Sequence, residues 1–216
     1  MFGSILKCVV VCAAVFAAAS CGPQPKGGGV AEKISENTYR NEPFGLTVTA
    51  PDGWFVMDNA QTKKLMDMGA DIAAPDDQRL KAGVRASMQN SSNLFTFFEH
   101  APGAPVEFNA SVIGMTENLA MAPGVKTGKD YFFHVKRMLE QSNVATEFVG
   151  DYKTRKIGGQ NFDQMDVRMT TNGVTVSQSY YAAKHGEYAV GFVQSYINDE
   201  QRKATDVVID SVKLDW

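Results

Sequence analysis

Apolar and polar residues change period several times along this chain, and each change marks an element. Leu46, Val48 and Ala50 alternate with Thr47 and Thr49, which predicts a strand with one buried face. Pro51-Asp52-Gly53 supplies a turn, after which Trp54 and Val56 resume the apolar side, with Trp54 expected in the core. Between Asn59 and Met88 the period becomes helical. Leu65, Gly69, Ile72 and Ala73 form one stripe, and Leu80, Val84 and Ser87 form another after the break at Ala74-Pro75, so two helices are predicted. Residues 94–99 and 106–115, rich in Phe and β-branched side chains and separated by the Pro102 to Pro105 turn, read as strands.

The second half is patterned more strongly. Thr127 followed three residues later by Asp130 predicts a helix start, and Tyr131, Phe132, Val135, Met138 and Leu139 give an i, i+1, i+4, i+7, i+8 apolar stripe. Met165, Val167 and Met169 alternate with Gln164, Asp166 and Arg168. A turn at Thr171-Asn172-Gly173 leads into Val174, Val176, Gln178 and Tyr180, and a second at Lys184-His185-Gly186 into Tyr188, Val190 and Phe192. Ala189, Gly191 and Val193 occupy the other side of that last strand, so both faces of the sheet must be covered, and helices are expected on each. Asn198, followed by Asp199 and Glu200, caps a final helix with the stripe Ala204, Val207, Val208 and Ser211.

Composition sets the class. The chain has 216 residues, of which 44% are hydrophobic and 21% charged, values that fit one globular domain and exclude wholesale disorder or a polytopic membrane protein. The net charge is −3 with no basic tract, so a nucleic-acid partner is not expected. Three cysteines, Cys8, Cys12 and Cys21, lie at the N-terminus, and none follows. Disulfides, thiolate-bound metals and thiol catalysis are thereby removed from the folded part.

Residues 1–20 carry Lys7, an apolar run from Cys8 to Ala19, and small residues up to Ser20, which is the pattern of a secretory signal. Twelve helical residues rise only about 18 Å, short of a bilayer's hydrocarbon core. Ala18-Ala19-Ser20-Cys21 resembles the lipobox of bacterial lipoproteins, although Ala18 stands where Leu is commonest. The resemblance implies cleavage before Cys21, a diacylglyceryl thioether on its sulfur and attachment to a membrane. Gly22, in place of Asp, leans toward the periplasmic face of the outer membrane if the host is Gram-negative. The alternative is an ordinary signal cut after Ala19, leaving Cys21 as a lone thiol. Two or three long acyl chains hold a protein stably where one does not. Residues 21–36, with Pro23, Pro25 and Gly27 to Gly29, read as a tether that reaches at most about 50 Å when extended at ~3.3 Å per residue. Residues 37–216 read as one domain.

Tyr39 to Gly45 and Pro51 to Trp54, together with the strand pair around Gly173, the strand from Tyr188 to Ser195 and the helix ending near Ile209 to Ser211, resemble PsbP-like and DcrB-like domains. The resemblance implies an α+β fold, an α/β/α sandwich with an antiparallel sheet between helices. It also implies assembly, accessory or binding roles, and no functional residue is carried over from it.

Chemistry is sparse. G-x-S-x-G, H-E-x-x-H and G-x-G-x-x-G are absent from the sequence. Gly124 to Asp130 imitates a phosphate loop but has one residue too few between its glycines and Asp130 where a hydroxyl belongs. His100, His134 and His185 lack the spacing of a metal site, and Asp76-Asp77 and Asp199-Glu200 stand where helix N-termini favour negative charge. Met66 and Met68, two apart on a helix, face different ways and read as core filling. Phe95, Phe97, Phe98, Tyr131, Phe132 and Phe133 read as core, and one member of Tyr180-Tyr181 or Phe97-Phe98 is a candidate to line a groove. No cofactor, metal or catalytic residue is expected. The functional expectation is a non-catalytic, lipid-anchored envelope module with a protein partner. An enzyme acting on an envelope polymer and a small-ligand or metal carrier are the alternatives.

Overall fold

The computed structural model describes residues 31–73, 78, 82, 90–142, 144–171 and 173–216. Twelve strands and three helices are named among them: β1 (Glu32–Lys33), β2 (Thr38–Asn41), β3 (Leu46–Thr49), β4 (Phe55–Val56), α1 (Asn59–Ala73), β5 (Ser91–Phe98), β6 (Ser111–Asn118), α2 (Gly128–Gln141), β7 (Ala145–Phe148), β8 (Lys153–Ile157), β9 (Gln160–Thr171), β10 (Val174–His185), β11 (Tyr188–Tyr196), α3 (Asp199–Ser211) and β12 (Lys213–Leu214). The main sheet runs β4-β5-β6-β11-β10-β9-β7, with β8 also on β9, and every pairing in it is antiparallel. A smaller sheet, β1-β2-β3-β12, joins the two ends of the described chain.

The strong alternation of the last third produces the centre of the sheet. β10 pairs β11 from Ser177 opposite Tyr196 to His185 opposite Tyr188, and pairs β9 from Val174 opposite Thr171 to Ala182 opposite Asp163. Alternate side chains enter two different cores. Tyr180, Ala182, Ala189 and Val193 face α1 and α2, whereas Tyr181, Ala183, Val190 and Phe192 face α3 and the small sheet. Both faces of β11 are covered, as its apolar composition requires. The layer on the second face is α3 together with the four-stranded sheet.

Helix ends follow local chemistry. Asp58 Oδ1 accepts the Gln61 backbone N–H at 2.8 Å while Gln61 Oε1 accepts the Asp58 N–H at 3.0 Å, a reciprocal cap on α1. Asn198 Oδ1 accepts the Gln201 N–H at 2.9 Å and starts α3. Each such cap contributes about 1 kcal/mol. The stripe of α2 is as expected: Tyr131, Phe132, Val135 and Leu139 are buried, and Met138 is half-buried. Each large apolar side chain placed there contributes about 1.5–3 kcal/mol.

Several boundaries differ from the sequence reading. Residues 106–110 precede β6 instead of belonging to it, and β7 and β8 lie where no strand was expected. Trp54 is half-buried against the second core. In α3 the buried residues are Thr205, Val208 and Ile209, while Val207 is 56% exposed. The buried face is set one position away because the Thr205 hydroxyl satisfies itself by donating to the Gln201 and Arg202 carbonyls. Ala31 donates its N–H to Leu94 at 2.8 Å and Glu32–Lys33 pair with β2, so the last residues of the segment read as a tether belong to the small sheet. The stripe expected of the second helix, Leu80, Val84 and Ser87, and the carboxylates Asp76 and Asp77 lie outside the described residues.

Candidate functional site: a groove at the bulged sheet edge

The outer edge of the main sheet is one strand interrupted. Phe148 of β7 stands opposite Val167, and Lys153 of β8 opposite Gln164, so the four residues Val149 to Tyr152 face only Met165 and Asp166. The Val149 N–H still reaches the Asp166 carbonyl at 2.8 Å, and Gly150 turns the chain with φ +67°, a conformation that favours glycine. The surplus residues bulge outward beside α2. A shallow open groove of about 170 Å³ results, lined by Lys136, Phe148, Gly150, Asp151, Tyr152, Met165 and Asp166.

Its walls are aromatic and its charges are held in place. Lys136 Nζ lies 4.6 Å from the centroid of the Phe148 ring, a cation–π contact, and the Tyr152 ring rests 5.8 Å from that of Phe132. Tyr152 is 40% exposed, and burial, followed by the charge of Glu140, raises its phenol above the ordinary range. Asp166 accepts from Lys153 Nζ at 2.8 Å, Gln164 Nε2 at 2.8 Å and Ser179 Oγ at 2.7 Å. Burial alone would push this carboxyl up, but the three donors and the Lys153 charge outweigh it and hold it below its usual value. Asp166 is therefore a fixed anion at neutral pH, poorly suited to donate a proton.

The residues singled out in sequence lie elsewhere. Cys21 lies outside the described residues. His100 is exposed at the end of β5, His134 packs edge-on to Phe133 at 5.6 Å, and His185 stacks on Trp216 at 4.3 Å. No group of three metal-capable His, Cys, Asp or Glu side chains forms among the described residues. Asp199 and Glu200 sit in the first turn of α3, where Asp199 pairs with Arg202 at 3.3 Å. Met66 and Met68 join the first core.

The loop that imitated a phosphate site has its amides already occupied. Asp130 Oδ2 accepts the backbone N–H groups of Lys126 and Thr127 at 2.9 Å each, and Asp163 takes the Lys129 N–H at 3.1 Å. These bonds, that to Lys126 foremost, lower the Asp130 carboxyl. Gly128 is needed for contact: a methyl there would run into the Ala182 carbonyl oxygen.

Two expectations about aromatics are corrected. Phe133 is 59% exposed instead of buried, because its position on α2 lies away from the stripe led by Phe132. Tyr180-Tyr181 and Phe97-Phe98 are buried at every member, since both faces of the sheet are covered, and none lines a groove. The groove residues Lys136, Phe148, Tyr152 and Asp166 were missed. The available signal was the Val149-Gly150-Asp151 turn between two short polar segments that pair with the same neighbour.

No helix among the described residues is long and apolar enough to cross a membrane. No family model and no curated protein matches the sequence. Among solved structures the chain is similar to the cyanobacterial PsbP (CyanoP) of Synechocystis sp. PCC 6803, with 16% identity, a TM-score of 0.50, and coverage of 90% of this chain and 97% of that one. It is also similar to LpqN of Mycobacterium tuberculosis, described as involved in cell envelope biogenesis, with 14% identity, a TM-score of 0.44, and coverage of 78% and 82%. At these identities likeness speaks to fold alone. The CyanoP comparison and the antiparallel sheet between packed layers together define a PsbP-like α+β fold.

Proposed function

We propose that this protein is a non-catalytic binding or assembly module of the bacterial cell envelope, tethered through acyl chains on Cys21, and that the groove beside α2 is its contact site. One observation carries the reading. The groove sets two aromatic rings, Phe148 and Tyr152, beside a lysine ordered over one of them, and its acid Asp166 is biased toward the anion by three donors. A hydrolase using paired carboxyls needs one of them raised so that it can protonate a leaving group. Asp166 is shifted the opposite way. An aromatic surface with a part-exposed phenol and a lysine ordered over a ring suits recognition instead.

The anchor and the site divide the work. Acyl chains bonded to Cys21 supply membrane retention, so the folded part needs no lipid-binding face of its own. The test is intact-mass spectrometry of the protein from its own membranes, combined with crosslinking before solubilisation. The expected mass is a chain beginning at lipidated Cys21, recovered with a reproducible protein adduct. A chain retaining Met1 or carrying a bare Cys21 overturns the anchor, and recovery without any adduct overturns the binding role.

A further inference from the structure

The outward side of α2 differs from the rest of this surface. Lys129, Phe133, Lys136, Arg137 and Glu140 are spaced i, i+4, i+7, i+8 and i+11, which places them along one flank that runs from the edge of the buried stripe to the exposed side. Lys126 is exposed just before the helix. Of the acids on α2, Asp130 is consumed by the N-terminal cap, leaving Glu140 against three cations in a chain whose net charge is −3.

Two of these cations, Lys136 and Arg137, are ordered by rings. Arg155, Lys153, Arg168 and Arg202 each bond a carboxylate. Lys136 instead lies over Phe148, and the Arg137 guanidinium carbon lies 6.0 Å from the Phe133 centroid. A cation held over a ring keeps N–H donors for a further partner, and its side chain has already lost part of the freedom that binding would remove. Exposed apolar side chains stand at the same helix: Phe133 on α2 and Tyr152 against Phe132 are two of the five large hydrophobic residues exposed among the described residues.

We infer that the groove and the outer flank of α2 receive an acidic peptide segment of a partner protein, with an apolar side chain entering between Tyr152 and Phe148 and carboxylates meeting Lys136 and Arg137. This deepens, and rests on, the reading of the groove as a contact site. Charge complementarity fixes the sign of the partner: along α2 a basic segment would meet Lys129, Lys136 and Arg137 against Glu140 alone, and of the two acids lining the groove Asp166 is already bonded to Lys153, which leaves Asp151. The concave shape favours a peptide over a lipid surface, since a side chain can enter the groove and a flat bilayer cannot.

The test is selection of a random decapeptide display library on the full-length protein, with the winners measured by fluorescence anisotropy. Winners are expected to carry Asp or Glu beside an aromatic or aliphatic residue. They should bind at least about tenfold more weakly to the Lys136→Glu/Arg137→Glu variant, yet equally to Lys203→Glu on exposed α3. Raising salt should weaken binding to the unaltered protein, an outcome independent of how the double variant folds. Basic or charge-neutral winners, no enrichment, or affinity insensitive to both salt and charge reversal overturns the inference. Flotation with phosphatidylglycerol vesicles that depends on Lys136 and Arg137, in the absence of acidic winners, overturns it in favour of a membrane. Failure of the charge preference while position 152 still crosslinks a protein rejects the acidic class alone. Loss of both rejects the contact site itself.

Discussion

Arg155 on β8 donates from Nη1 to Asp206 Oδ1 on α3 at 2.6 Å, joining the bulged edge of the main sheet to the helix on its second face. The same guanidinium donates to Asp210 at 2.6 Å and to the Tyr181 hydroxyl at 3.1 Å, with its carbon 5.5 Å from that ring. Gln194 extends the link by accepting the Tyr181 O–H at 2.8 Å and donating to Thr205 at 2.8 Å and Asp206 at 3.0 Å. Burial disfavours the charge on Arg155, but these partners outweigh it and raise its pKa. A cation engaged by two carboxylates and a phenol holds structure. Arg155→Met, which keeps the apolar stem, is expected to cost about 1.5–3 kcal/mol in denaturant unfolding. A loss under about 0.5 kcal/mol would mean that the link is ornamental.

The phenol of Tyr181 sets an alkaline limit. Burial raises it, Arg155 partly offsets this, and the group reaches about 12. A group raised in the folded state contributes stability that is complete below its unfolded value near 10 and fades as pH rises through the folded value. Thermal melts should therefore fall steadily above pH 10, and Tyr181→Phe should shallow that fall. An unchanged slope in the variant would place the alkaline sensitivity elsewhere.

Asp166 acts at the other end of the scale. Its carboxyl is held below the ordinary carboxylate range in the folded state, so its contribution is present above the unfolded pKa of about 3.9 and disappears as pH falls through the lower folded value. Melting temperatures recorded from pH 5 to pH 2 should drop less steeply for Asp166→Asn than for the unaltered protein. Parallel curves would remove Asp166 from the acid response.

Gly128 at the start of α2 and Gly124 in the loop before it differ in how closely they are packed. Alanine has a helix propensity better than glycine by about 1 kcal/mol, yet at 128 its methyl would strike the Ala182 carbonyl. Gly124 has open space around the same added atom. Gly128→Ala is expected to destabilise by about 1–3 kcal/mol, and Gly124→Ala to leave the melting temperature within a degree or two. Equal effects would contradict the close approach of α2 to β10.

Elements whose residues bury themselves locally were legible in the sequence. Thr127 and Asp130 announce their cap, and β9, β10 and β11 show a period of two because each is long, successive side chains enter opposite faces, and glycine turns join them. The apolar second side of β11 disclosed that both faces are covered. β7 and β8 were not legible, because Ala145 to Phe148 and Lys153 to Ile157 are polar edge segments that owe their form to β9. Thr205 hid the true buried face of α3, since a polar residue enters the core when its hydroxyl finds carbonyls one turn back. The groove was hidden for a topological reason: Lys136, Phe148 to Tyr152 and Met165 to Asp166 meet only once β9 has paired with both halves of the bulged edge.

The most direct measurement of the account is photocrosslinking in living cells with a benzophenone amino acid at position 152, beside the same substitution at Lys203. The account predicts a discrete protein adduct from position 152 that disappears when Lys136 and Arg137 are reversed to Glu, and none from position 203. Indistinguishable adduct patterns from the two positions, or an adduct at 152 indifferent to the charge of α2, would contradict it.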